Sequence, residues 1–491
     1  MEVLLKIWTY FVQNILTQPA YFIGFIVLIG YILLKKTWYE CLAGFLKASI
    51  GYLILLVGSG GLVNNFRPIL VGLKDRFDLQ ATVIDPYYGQ NAVQTAMEHM
   101  GKSFSQVMML ILIAFIFNII LVAFRKVTKI RSLFTTGNVQ IQQAATAFWI
   151  IFFCFPELGD IPMLIIISIL LGLYWAVGSN LTVEITQNLT NGGGFCIAHQ
   201  QMFALKIFSI IAEKLKVKGE SKKLEDIKFP GFLSIFNENM VSTSILMLVF
   251  FGIILLTLGR DYLIANNFMK EGQSFFFYTL TTALNFAVYL AILQLGVRTF
   301  VTELTQSFQG ISTRLLPGAV PGIDCAATFG FGSPNAVTIG LLFGAAGQFL
   351  AIIILILMKS PVIIIAGFIP VFFDNATIAV FANNRGGIKA AMILPFISGL
   401  CQVFGSAFIA YWVGLAAYGG YLGMWDWAIL WPGFTVIMKY LGYAGVAIIV
   451  LILIAIPQIQ YIKNKDTYFL IIDDYNAYKE KLKEKSKFKI L

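Results

Sequence analysis

Gly58-Ser-Gly-Gly-Leu62, then Ile84-Asp85, then Asn91-Ala-Val93 in the first half of the chain return in the second as Gly296, then Ile323-Asp324, then Asn335-Ala-Val337. Glycine to aspartate is 27 residues in one copy and 28 in the other, and Tyr174-Trp175 is matched downstream by Tyr411-Trp412 at an offset of 237. Both copies sit between long apolar runs. A membrane chain made of two copies of one unit places a small-solute site where the copies meet, so the spacing points to a transporter.

Composition supports a membrane chain. Hydrophobic residues are 58% and charged residues 12%, about half the charge of an ordinary soluble protein. The first apolar run, 20–34, ends in Lys35-Lys36 without a small-residue cleavage site and reads as a retained span. The five cysteines are scattered through apolar segments with no CxxC pair, which indicates neither a disulfide framework nor a metal site. The net charge of +10 is better explained by basic loops on one membrane face than by nucleic acid.

The apolar pattern predicts eleven spans near 18–34, 43–63, 103–124, 139–155, 161–183, 240–259, 276–302, 336–358, 361–382, 388–415 and 434–462. In or near the loops behind odd-numbered spans, counting Arg298 and Arg314 beside the loop after span seven, lie 25 of the 35 Lys and Arg residues. The positive-inside rule then places the N-terminus outside and the C-terminus in the cytoplasm, with Lys218 inside and Lys270 outside. Spans one to five match spans six to ten. Five is odd, so the second copy enters from the opposite side: an all-α integral membrane protein of two inverted repeats, about 18–183 and 240–415, with span eleven added at 434–462. Residues 1–462 form the membrane permease, and 463–491 a basic cytoplasmic tail read as a solvated or interfacial helix. The polar stretches Asn64–Gly101 and Thr302–Pro334 are expected as re-entrant hairpins, since non-helical backbone at membrane depth must be buried in protein or line a cavity.

Several residues are candidates for solute contact. His199, in Asn191-Gly-Gly-Gly-Phe-Cys-Ile-Ala-His199-Gln-Gln201, follows a glycine-broken segment; with its two glutamines it suits a polyhydroxyl ligand, or else caps a cytoplasmic loop. Asp324 lies in an apolar run where a charge costs about 2.5–3.5 kcal/mol to insert, which marks it as functional unless it pairs with Arg314 or caps a half-helix. Its mate Asp85 precedes Pro86-Tyr87-Tyr88, aromatic rings able to cover a sugar. Gln140, Gln142 and Gln143 indicate either a polar cavity or helix–helix hydrogen bonds. His99, beside Glu98, reads as a solvated loop residue. No P-loop, catalytic triad or exposed reactive cysteine appears, so the chain reads as a permease rather than an enzyme, with no cofactor.

These residues also carry a resemblance. The run Ala43–Pro68, Phe195-Cys-Ile-Ala-His199-Gln-Gln201, Arg314-Leu-Leu-Pro-Gly-Ala-Val320, Ile323-Asp-Cys-Ala326 and Gly367-Phe-Ile-Pro370 with Asn375-Ala-Thr377 resemble the ascorbate-specific membrane (IIC) component of the bacterial phosphotransferase system, over roughly residues 1–460. The resemblance implies a V-shaped dimerisation domain, a mobile core and a homodimer in the lipid membrane. It implies substrate contacts at Ser59, Tyr87, Gln142, His199, Gln200, Asp324 and the backbone near Ala326. It also implies that L-ascorbate or a related sugar acid is carried inward and phosphorylated by a separate cytoplasmic phospho-IIB protein. One position departs: the family's Thr-Gly-His is Thr136-Gly137-Asn138 here, which opens the identity of the sugar and makes Asn138 a further site candidate. An ion-coupled secondary transporter, served by Asp324 and Asp85, is the competing reading.

Overall fold

A computed structural model describes residues 19–77, 80–216, 223–227, 230–232, 235, 238–316 and 318–488. Lys218 lies outside them, and the side chains of Ser59, Arg298 and Arg314 lie outside the described side chains. Helix dominates, at 78%, so the all-α class holds. The order is α1 (Pro19–Leu33), α2 (Trp38–Phe77), β1 (Gln80–Ile84), α3 (Pro86–His99), α4 (Ser105–Ala123), β2 (Ser132–Phe134), α5 (Gly137–Cys154), α6 (Asp160–Thr190), β3 (Cys196–Ile197) and α7 (Met202–Leu215). The second half continues with α8 (Asn239–Leu258), α9 (Phe275–Leu315), β4 (Val320–Ile323), α10 (Pro334–Leu357), β5 (Val362–Ala366), α11 (Asn375–Gly386), α12 (Ile388–Trp412), β6 (Gly420–Tyr421), α13 (Trp431–Lys463) and α14 (Tyr475–Phe488).

Six of the described helices are long and apolar enough to cross a membrane, and three shorter apolar helices accompany them. Outward side chains such as Ile113, Ile353 and Leu451 remain exposed, as expected of a lipid-facing surface. The chain is a multi-pass membrane protein.

The helices sort into two groups. The long pair α2 and α9 packs together with α1 and α8. Their close crossing depends on glycine: a Cβ on Gly51 would sit 2.6 Å from the Phe300 amide and 2.9 Å from the Gly296 carbonyl, so backbones approach as at small-residue interfaces in membranes. The other helices and all six strands form the second group, where the candidate site lies.

The strands exchange between copies. Each aspartate of the repeated motif ends a central strand: Asp85 follows β1, and Asp324 follows β4. Strand β1 is flanked by β5 and β6 of the second copy, and β4 by β2 and β3 of the first, all in parallel. Backbone inside a membrane protein needs internal partners, and here each copy supplies them to the other.

Four expectations change. The predicted ninth span, 361–382, is a strand (362–366) followed by a π-turn, Pro370–Asp374, that runs into α11; Gly367 and Pro370 separate the two. The expected hairpin at Asn64–Gly101 begins as helix, since α2 runs to Phe77 before β1 and α3, and likewise α9 runs to Leu315 before β4. The pairing of Tyr174-Trp175 with Tyr411-Trp412 is not structural. Tyr174 is fully buried midway along α6, whereas Tyr411 is 54% exposed at the end of α12. The tail does not stand free: Tyr478 and Ile471 pack on Val183, Cys196 and Val320.

Candidate functional site

The site is built at the C-terminal ends of the β2–β4–β3 sheet. Asp324 leaves β4 as the cap of the short helix Cys325–Gly330, its Oδ1 accepting from the Ala326 N–H at 2.9 Å. Capping therefore occupies one carboxylate oxygen and the Ala326 amide. The other oxygen, Oδ2, lies 3.8 Å from His199 Nε2, and the Asp324 side chain is 42% exposed. The capping alternative for Asp324 holds, yet the residue also faces His199.

His199 is fixed from behind. The Ala198 N–H bonds the Ile323 carbonyl at 2.9 Å as β3 pairs with β4, and the His199 carbonyl accepts from Gln143 Nε2 at 3.2 Å. Ring atom Nδ1 lies 2.6 Å from Gln201 Oε1. An amide oxygen only accepts, so Nδ1 carries a proton, and in its neutral form the ring presents Nε2 as an acceptor. Two acceptors, Nε2 and Asp324 Oδ2, then face each other across a gap too long for a direct hydrogen bond. Two neighbouring hydroxyls of one ligand would donate a hydrogen to each.

Helix α5 supplies the opposite wall. Gln142 Oε1 accepts from Gln200 Nε2 at 2.5 Å, and the Tyr87 hydroxyl lies beside the Asn138 and Gln142 side chains. Gln200 Oε1 is buried without a partner, as are Gln201 Nε2 and Gln140 Oε1. Buried polar atoms are almost always bonded, so these suit a ligand or solvent. The glutamine alternatives both occur. Gln142 faces the polar cluster, whereas Gln143 also accepts from Trp175 Nε1 at 2.6 Å and ties helices together.

Tyr87, Asn138, Gln142, His199, Gln200 and Asp324 thus gather in one place. Asp85 does not join them. It is 2% exposed and caps α3 by accepting from the Tyr87 N–H at 3.0 Å, which orients Tyr87 instead. Ser59 rides on α2, with its side chain outside the described ones. His99 is exposed, its ring 5.6 Å from that of Tyr418. His199, Asp324 and Cys325 also bring one donor atom each within 4.8 Å; the thiol is fully buried, while the histidine and carboxylate face the gap a hydroxyl would fill.

Sequence reasoning missed two buried aspartates. Asp426 accepts from the Tyr174 hydroxyl at 2.8 Å and from the Phe203 and Ala204 N–H groups at 3.1 Å each. It holds the N-terminus of α7, the helix that follows His199-Gln-Gln201. Asp374 Oδ2 accepts from Gln402 Nε2 at 2.6 Å and from the Trp425 N–H at 2.7 Å. Each sits in a run as apolar as that around Asp324, the signal that could have found them.

Comparison with known proteins follows the same line. The family model described as the PTS system sugar-specific permease component matches residues 14–428. A relative from Mycoplasma pneumoniae, the ascorbate-specific PTS system EIIC component, is 34% identical over 434 residues, which cover 80% of this chain and 65% of the relative. The chain thus spans just under two thirds of that relative's length. With the match running through both repeats, the chain belongs to the family of sugar-specific permease components of the phosphotransferase system.

Proposed function

We propose that this protein binds L-ascorbate or a closely related sugar acid at the Asp324–His199 cluster and carries it into the cell, where a separate phospho-IIB protein phosphorylates it. The observation that carries this reading is the facing pair of acceptors, Asp324 Oδ2 and His199 Nε2, 3.8 Å apart, beside the amides of Gln142 and Gln200. The set suits a ring bearing several hydroxyls. The name of the relative supports ascorbate. Binding of labelled ascorbate to the purified protein tests the substrate. Vesicles lacking all other phosphotransferase proteins test the coupling: ascorbate accumulation driven by an ion gradient in such vesicles would replace this reading with a secondary transporter.

Asn138 bears on the choice of sugar. Ascorbate is an anion at neutral pH, and histidine at this position could meet it with charge; asparagine still donates and accepts but gains no charge. Asn138 lies beside the Tyr87 hydroxyl, where a neutral amide can both donate and accept. Asn138→His is expected to change ascorbate affinity by less than about tenfold, or ~1.4 kcal/mol, in isothermal titrations at pH 6 and 8. A gain well beyond tenfold would point to a different natural sugar acid.

The basic loops carry the orientation, N-terminus outside and C-terminus cytoplasmic. Lys214 and Lys270 are both exposed. Cysteines placed there and treated with an impermeant thiol reagent on intact cells should label at 270 and not at 214. The opposite pattern inverts the topology and moves the IIB-facing side.

A further inference from the structure

The helix that follows the sugar-facing residues has no cap of its own. Helix α7 starts after Gln201, and the first turn of any helix leaves backbone N–H groups without partners. A side chain at the position of Gln201 would ordinarily accept from them, yet Gln201 makes no such bond. Its Oε1 is turned the other way, onto His199 Nδ1. With that oxygen committed to the ring, the first turn must find its acceptor elsewhere.

Asp426 supplies the acceptor from far along the chain. Its two oxygens divide the work, Oδ2 taking the Phe203 N–H and Oδ1 the Ala204 N–H. Asp426 also opens the π-turn Asp426–Leu430, and its own N–H donates to the Gln200 carbonyl at 3.3 Å. One residue therefore grips the segment 200–204 at both ends, by a carbonyl and by two N–H groups. Asp426, Gln200 and Gln201 are all fully buried, where polar groups must be met by protein. The neighbouring Trp425 N–H is held in turn by Asp374, which ties the clamp to the start of α11.

We propose that Asp426 is a positioning residue for sugar binding: it caps α7 in place of Gln201 and so leaves Gln201 free to hold the His199 ring with Nε2 toward the sugar. This role rests on the sugar reading of the Asp324–His199 cluster. Without the carboxylate, the Gln201 side chain is drawn back to the helix as its cap, and His199 loses the partner that fixes its tautomer and its aim. The bond to the Gln200 carbonyl comes from the Asp426 backbone and survives a change of side chain.

The test is ascorbate titration of the purified protein carrying Asp426→Asn, Gln201→Met or both. Asparagine offers one oxygen where two N–H groups need acceptors, and each single variant is expected to weaken binding about tenfold. The double variant should lose less than about twofold more, because both substitutions free the same ring. Tyr174→Phe is the contrast. It removes the hydroxyl bond to Asp426 but leaves both N–H bonds, so it should lower the thermal midpoint and keep ascorbate affinity within about twofold. If Asp426→Asn does not reach the membrane, Asp426→Glu carries the same cycle, since its longer side chain keeps the charge and moves the carboxylate off the two N–H groups. Wild-type affinity in the Asp426 variant overturns the proposal, as do losses that simply add to about a hundredfold, or a Tyr174→Phe loss as large as that of the Asp426 variant. His199→Ala separates this role from the sugar reading. If it leaves ascorbate binding unchanged, the cluster is not the site and both fall; if it weakens binding while the Asp426 variant does not, only the role of Asp426 falls.

Discussion

Asp324→Asn and His199→Ala are each expected to weaken ascorbate binding by roughly 10–150-fold, the equivalent of losing one hydrogen bond to a charged group at ~1.5–3 kcal/mol. Asparagine is the sharper probe at 324 because Oδ1 caps the Ala326 N–H. An amide oxygen keeps that cap, so the loop stays in place while the charge facing His199 disappears. Alanine would remove both and add up to about 2 kcal/mol of local destabilisation, which mixes folding with binding. If neighbouring sugar hydroxyls donate to Oδ2 and Nε2, the two residues hold the same edge of the ligand. The double variant should then cost clearly less than the sum of the single losses, a coupling of about 1 kcal/mol or more. Isothermal titration of the four proteins reads this directly. Wild-type affinity in either single variant would move the site elsewhere; strict additivity would keep the site but mean that the two residues hold separate parts of the ligand.

How much of this was legible depends on which physical signal each residue carries. The motif Ile-Asp could be read twice because both aspartates do one backbone job, capping the helical turn that follows a central strand. Sequence alone could not say that Asp85 ends at 2% exposed while the Asp324 side chain stays 42% exposed; that difference comes from Gly367 and the α3 cap closing over Asp85. The strands were hidden for another reason. Val362–Ala366 is a short apolar run, and periodicity cannot separate a buried strand from a buried helix over such a length. Its partner β1 lies far away in sequence, so the pairing is a tertiary fact. The polar stretches after residues 64 and 302 read as re-entrant hairpins because their polarity argues against lipid contact, whereas α2 and α9 continue as helix. Asp374 shows the opposite failure. Its setting, Phe372-Phe373-Asp374, carried the same insertion penalty that singled out Asp324, but the ninth span was assigned on its apolar average.

Arg131→Met should release the C-terminal tail from the core. Arg131 is only 3% exposed and has no carboxylate within ion-pair distance among the described residues. Its charge is met by carbonyl oxygens, with Nη1 donating to the Tyr468 carbonyl at 2.6 Å and Nε to Asn180 Oδ1 at 3.0 Å, and by the face of the Tyr468 ring at 3.7 Å. Methionine fits the stem but strands those acceptors, at a cost of roughly 3 kcal/mol. Local opening of residues 468–482 should therefore become about a hundredfold more frequent. Tyr468→Phe is the measured contrast. It keeps the ring and the carbonyl and loses only the hydroxyl bonds to the Lys129 carbonyl at 2.6 Å and Asn180 Nδ2 at 2.9 Å, so its effect should be about tenfold. Hydrogen exchange by mass spectrometry compares the tail with α6 in the same sample. Faster exchange in both segments would mean that Arg131 supports the whole core, and unchanged exchange in the tail would mean that Tyr478 and Ile471 hold it without the arginine. The cavity of about 490 Å³ that Arg131, Glu184, Arg385 and Tyr478 line beside the tail gives water a route to these bonds once the arginine is gone, which is why the opening is expected to begin at Tyr468 rather than at the end of α14.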